Sequence, residues 1–216
     1  MRRLLGCSAF VVGSALSASC SDAASGVAWV GDEPHLVARG TLNGETLDID
    51  VRGADAIAGM ITCERQYSAM PLASDPTMPD LTTARFEEVT FDLQLVIGGE
   101  TRLVEIEVKY HDLQSDPIGT EITVVPRVEG VDPAADEVVF EWEWHTVPGD
   151  VTYFEESAQS GTVTLESFTG TPGNGTAVIP EGDGSIGITA RVRWSPTESL
   201  DISFTAPCQT NDINVE

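Results

Sequence analysis

The sequence predicts an all-β protein, an antiparallel β-sandwich or a barrel-like variant of one, with roughly ten or more strands. Three observations carry this. Apolar and polar residues alternate with period two along most of the chain, as in strands with one buried and one wet face. Gly, Pro, Asn, Asp and Ser separate the alternating runs. No long segment holds the 3.6-residue apolar period of an amphipathic helix.

The elements follow in chain order. Leu42-Asn43-Gly44-Glu45 reads as a hairpin turn, because Asn-Gly tolerates the positive φ angles of a type I′ turn. Cys63 shares parity with Ile61 on the inner face of the next strand. Residues 68–85 carry Pro71, Pro76 and Pro79 and read as irregular, with a helical turn at 80–84. The clearest signal lies at 86–110. There Val89, Phe91, Leu93, Leu95 and Ile97 alternate with Thr90, Asp92, Gln94 and Val96, Gly98-Gly99 turns the chain, and Val104, Ile106, Val108 and Tyr110 alternate back. Residues 121–128 form a short strand whose Pro126 marks a sheet edge.

Residues 138–145 place Phe140, Trp142 and Trp144 on one face and Glu141, Glu143 and His145 on the other. Strands at 151–155, 161–168, 186–194 and 200–206 complete the fold. Cys208 shares the inward parity of Leu200, Ile202 and Phe204. One β domain therefore covers 27–209, and 210–216 reads as a polar tail. Trp29, Trp142, Trp144 and Trp194 all fall in strand patterns, where core packing is the usual role.

The first 19 residues have the layout of a signal peptide. Arg2 and Arg3 precede an uncharged apolar stretch from Leu4 to Leu16, too short for the ~20 residues of a membrane span. Ser17-Ala18-Ser19 then lead into Cys20. Small residues directly before a Cys resemble the lipobox of bacterial lipoproteins, with Leu16 one place ahead of the usual aliphatic position. That resemblance implies a lipidated Cys20 as the mature N-terminus, a tether over 20–26, and a membrane partner reached through the anchor. The envelope is the implied location, at the outer membrane or cell surface. Cleavage between 18 and 24 without lipidation would instead give a soluble secreted protein.

The later strands resemble the C-terminal half of uncharacterised exported bacterial lipoproteins. The shared pattern is Gly161-Thr162-Val163-Thr164, a Gly-rich turn at 173–175, the strand 186–194, and Ser203-Phe204-Thr205-Ala206-Pro207-Cys208. It is a strand pattern and brings no activity with it.

The formal charge is −24, and −26 once Arg2 and Arg3 leave with the signal. Such a field repels nucleic acid and anionic headgroups, so no nucleic-acid partner is expected. The acids are dispersed among apolar residues, as on the wet faces of strands. Cys63 and Cys208 remain after signal removal and read as one disulfide of an exported chain.

No catalytic residue is identified. Ser185 lacks a nucleophile-elbow context, and His35, His111 and His145 are scattered. Glu141, Glu143 and His145 share a strand face and could ligate a metal or move protons. A solvated face over an aromatic core is the plainer reading. Asp132 and Asp136, and Asp48 with Asp50, are acidic loop or strand pairs without EF-hand spacing. No cofactor is implied by any motif; an ordered calcium site is the lesser expectation, since chance clusters arise among 35 acidic residues.

Function is thus expected to be that of a lipid-anchored envelope module that binds a protein or glycan, or serves as surface structure, rather than an enzyme. The alternative is a calcium-assisted carbohydrate-binding or hydrolytic domain using the 141–145 face.

The alternation also fixes a test of facing. Leu93→Asp puts a charge inside and should cost roughly 3 kcal/mol or more. Asp92→Leu adds an apolar group to a wet face and should stay within ~0.5 kcal/mol. Urea denaturation of the two variants measures the difference.

Overall fold

A computed structural model describes residues 27–80, 83–110, 118–146, 151–169, 184–208 and 210–215. Residues 1–26, which include the expected signal segment, Cys20 and the expected tether, lie outside them, as do His111 and the stretch 173–175. The elements are β1 (His35–Leu42), β2 (Glu45–Arg52), α1 (Gly53–Gly59), β3 (Met60–Ala69), β4 (Pro71–Leu72) and β5 (Asp75–Pro79). They continue with β6 (Arg85–Ile97), β7 (Glu100–Tyr110), β8 (Glu121–Val124), β9 (Glu137–Thr146) and β10 (Val151–Ser157). Last come β11 (Ser160–Phe168), β12 (Ser185–Ser195), β13 (Glu198–Pro207) and β14 (Thr210–Val215).

Twelve strands form one curled sheet in the order β14-β3-β6-β7-β9-β8-β11-β12-β13-β1-β2, with β10 added beside β9. The two halves of this sheet pack face to face, so the sandwich prediction holds. Phe91 of β6 stacks on Phe204 of β13 with ring centroids 5.3 Å apart. Phe86 of β6 meets Phe168 of β11 at 5.0 Å, and Phe140 of β9 meets Trp194 of β12 edge-on. Leu36, Leu93, Val104, Ile106, Trp142, Trp144, Ile188 and Ile202 are fully enclosed in the same apolar core. Each such side chain contributes about 1.5–3 kcal/mol by leaving water.

The two halves meet at a corner that the chain makes twice. β9 pairs with β8 at its N-terminal end and with β10 further on, along one edge. After β10, the Ala158 amide donates to the Phe140 carbonyl of β9, and the next amide, of Gln159, donates to Arg193 of β12. The strand therefore changes layers within two residues. Gly161 stands just beyond, with φ +143°. A Cβ there would fall 2.1 Å from the Arg191 carbonyl oxygen, so only glycine lets β11 approach β12 this closely.

Several expectations are met in detail. The hairpin of β6 and β7 turns at Gly98-Gly99 and pairs Leu93 with Val104 and Phe91 with Ile106. Asn43 and Gly44 both have positive φ, as a type I′ turn requires. The short α1 is the helix among the described residues, consistent with the missing helical period.

Other expectations need correction. The segment read as a polar tail is β14, which runs parallel to β3 from Thr210 opposite Glu64 to Val215 opposite Ala69. The strand read as an edge is β8, which ends before Pro126 and lies inside the sheet between β9 and β11. Proline stops the ladder there without exposing it. The β8–β9 pair is also parallel, so the sheet is mixed rather than wholly antiparallel. The irregular segment at 68–85 contains the small β4–β5 pair.

Cys63 and Cys208 are bonded, as expected, across 145 residues of chain. Both are enclosed, and the bridge ties β3 in one half to the end of β13 in the other. A disulfide belongs to an oxidising compartment, outside the cytoplasm. Replacing both cysteines by alanine should lower unfolding free energy by about 2–5 kcal/mol, read from urea titration of oxidised wild type and variant.

Candidate functional site

β9 sets the geometry of the candidate site. Phe140, Trp142 and Trp144 are wholly buried on its inner face. Because side chains alternate, Glu141, Glu143 and His145 are held outward. Their exposure is limited: about a fifth of each side chain meets solvent, 17% for Glu141 and 22% for Glu143 and His145.

Strand pairing lines these groups up with acids from neighbouring strands. Asp92 of β6 stands opposite Glu105 of β7, Glu105 opposite Glu143 of β9, and Glu143 opposite Glu155 of β10. Four carboxylates thus form one row across four strands. The next row places Glu107 of β7 opposite Glu141. Directly opposed residues have Cβ atoms only ~5 Å apart, so like charges here repel.

Few cations offset this. The Arg127 guanidinium pairs with Glu141 and lies 3.8 Å from Glu107. Lys109 reaches Asp132 at 3.0 Å, and His145 Nε2 contacts a Glu143 carboxylate oxygen. Partial burial and mutual repulsion therefore raise proton affinity. Glu107 is pushed up to about 7, first by desolvation and then by Glu88 and Glu141. Glu105 and Glu143 are raised by desolvation first, with neighbouring carboxylates adding to it. Glu88 is raised chiefly by desolvation as well.

Glu105, Glu143 and His145 bring one ligand atom each within 4.8 Å of one another. Beside them a shallow groove of about 410 Å³ is lined by Arg127, Glu129, Glu141, Glu155, Glu156, Ser157 and Gln159. The arrangement can hold a cation, retain a proton near neutral pH, and offer hydrogen-bonding groups to a polar ligand.

Of the sequence candidates, Glu143 and His145 join this cluster, while Glu141 turns to Arg127. Asp132 pairs with Lys109, and the Asp136 carbonyl accepts from the Thr123 amide. Neither aspartate belongs to a three-ligand group among the described residues. Asp48 and Asp50 pair with Arg39, and Asp50 also with Arg52, as ordinary exposed ion pairs. Glu105, Glu107 and Arg127 were not singled out by sequence. Glu105 and Glu107 do show the outward parity of β7, but nothing local reveals that β7 pairs with β9 across the intervening 26 residues.

One histidine does meet a serine. His35 Nδ1 lies 2.7 Å from the Glu33 carbonyl, so Nε2 is free to accept the Ser203 hydroxyl, also at 2.7 Å. Both side chains are enclosed, at 1% and 0% exposure, which makes this a structural bond rather than a nucleophile. Burial lowers the His35 pKa. Trp29 packs over Gly187 and meets the His35 ring edge-on.

In comparisons with protein-family models, curated proteins and solved structures, nothing matches this chain.

Glu107, pushed up to about 7, binds its proton more tightly folded than unfolded, so it adds stability at mild acid that is lost as pH rises through about 7. His35 opposes this below about pH 6.5, where only the unfolded chain charges readily. Above pH 6.5 that opposition is gone, so Tm should fall from pH 6.5 to pH 8 as Glu107 loses its proton. Glu107→Gln should flatten that slope and raise Tm at pH 8, by about 2–4 °C for each kcal/mol of relieved repulsion. Differential scanning calorimetry across that range reads both.

Proposed function

We propose that the protein is a lipid-anchored module of the bacterial envelope that binds a glycan on the outer face of β6, β7, β9 and β10. The anchor is Cys20, supported by the lipobox-like run before it, and the Cys63–Cys208 bond fits an exported location. The observation that carries the binding reading is the groove beside the carboxylate row. Carboxylates, a guanidinium, a hydroxyl and an amide line it, the mixture that hydrogen-bonds sugar hydroxyls. Rigid strands hold most of them, so little ordering is needed on binding.

A metal-assisted carbohydrate-binding or hydrolytic domain is the second reading, favoured by the convergence of Glu105, Glu143 and His145. Incubation with glycans, with and without a chelator, separates the two: binding lost on chelation or newly released reducing ends mark the second reading, and binding that survives chelation without cleavage marks the first.

Two measurements test the proposal. A palmitate analogue fed to cells should label wild type and not Cys20→Ser; equal labelling of both, or of neither, ends the lipoprotein reading. On a glycan array, the exported protein should bind at least one class, and Arg127→Ala with Glu141→Ala should weaken that binding about tenfold or more. Asp48→Ala, on the far β2 strand, should leave it unchanged. Retention of a protein partner in place of any glycan would redirect the assignment of the groove.

A further inference from the structure

We propose that Glu105, Glu143 and His145 form a mononuclear metal site that takes a borderline transition ion such as Zn²⁺ in preference to Ca²⁺. The site lies on the face assigned to glycan binding but does not depend on that assignment.

The donor set is mixed, and this separates it from a patch of surface acids. Two carboxylates and one imidazole offer their ligand atoms within 4.8 Å of one another. Ligands on one zinc ion at about 2.0–2.2 Å stand only ~3–4 Å apart, a closure within reach of side-chain rotation. Calcium takes six to eight oxygens and gains nothing from an imidazole. Imidazole suits first-row ions of the zinc type, and three protein ligands leave further positions open.

The backbone fixes this set in advance. Glu105 and Glu143 face each other directly in the β7–β9 ladder, and His145 stands two residues along the same face. Behind them Val104, Ile106, Trp142 and Trp144 are fully buried, so neither strand can rotate its outward groups away. Glu143 and His145 keep about a fifth of their side chains in solvent, enough for an ion to enter. Asp92 and Glu155 extend the same row on either side and add to the negative field that favours a cation. Asp132, Asp48 and Asp50 already hold cationic side chains.

The test is calorimetric titration of the exported protein with zinc chloride, and separately with calcium chloride, at pH 7 in a non-chelating buffer. Wild type should take one Zn²⁺ per chain. His145→Ala and Glu105→Gln should each raise Kd at least about tenfold, and Asp132→Asn less than about twofold. Calcium should bind at least about tenfold more weakly than zinc. Both variants should keep the metal-free Tm within a few degrees, which guards against loss through misfolding. As a second readout independent of any variant, the ring nitrogen signals of His145 in a ¹⁵N-histidine spectrum should shift on adding zinc. Zinc binding at several equivalents, binding indifferent to His145→Ala, calcium as tight as zinc, or unshifted His145 signals would each overturn the site.

Discussion

Burying three large aromatic side chains from one strand constrains everything on the other side of that strand. Phe140, Trp142 and Trp144 sit at the centre of the sandwich, where deleting any one would cost about 3–5 kcal/mol. The strand therefore cannot slip by a residue or turn over. Glu141, Glu143 and His145 are outward as a consequence, and the same holds for Glu105 and Glu107 opposite buried Val104, Ile106 and Val108. The acidic row is a by-product of core packing in its placement. Its repulsion is endured because the core is far stronger than the ~1 kcal/mol scale of cross-strand pairs.

The same core depends on a corner. The sheet is a single hydrogen-bonded surface that doubles back where β8 and the β10–β11 crossing leave β9. Backbone groups at this corner stay paired, with Ala158 bonded to one half and Gln159 to the other. An unpaired buried amide would have cost a few kcal/mol. Across the sandwich, the Cys63–Cys208 bond fastens the two halves near the β3 strand.

Fold class, the β6–β7 hairpin, the Asn43-Gly44 turn and the disulfide were legible in the sequence because each is written in local pattern. Alternation marks strands, Asn-Gly marks a turn, and two inward cysteines in an exported chain have little else to do. Pairing between distant strands is not written locally. Thr210 to Val215 is short and mostly polar, and β14 takes its place by parallel ladder bonds to β3 just past Cys208, with Ile213 packed against the core. Pro126 misdirected the reading of β8, since a proline just past a strand looks the same in sequence as one within it. Half of the candidate site was visible for the same reason: Glu143 and His145 share a strand, while Glu105 reaches them only through the β7–β9 register.

The wide pairings also bear on when the chain can fold. β1 lies against β13, and β3 lies against β14, so each half of the sheet joins early strands to the last ones made. A chain threaded through a membrane from its N-terminus presents β1 and β3 long before their neighbours emerge. Until residues 198–215 arrive, a flank of each strand has open amides and carbonyls, and Cys63 has no partner. Local hairpins such as β6–β7 can form during passage, but the finished sandwich must wait for the final segment. Loss of those last residues would strip the outer neighbour from β3 and leave a bare strand edge open to other chains.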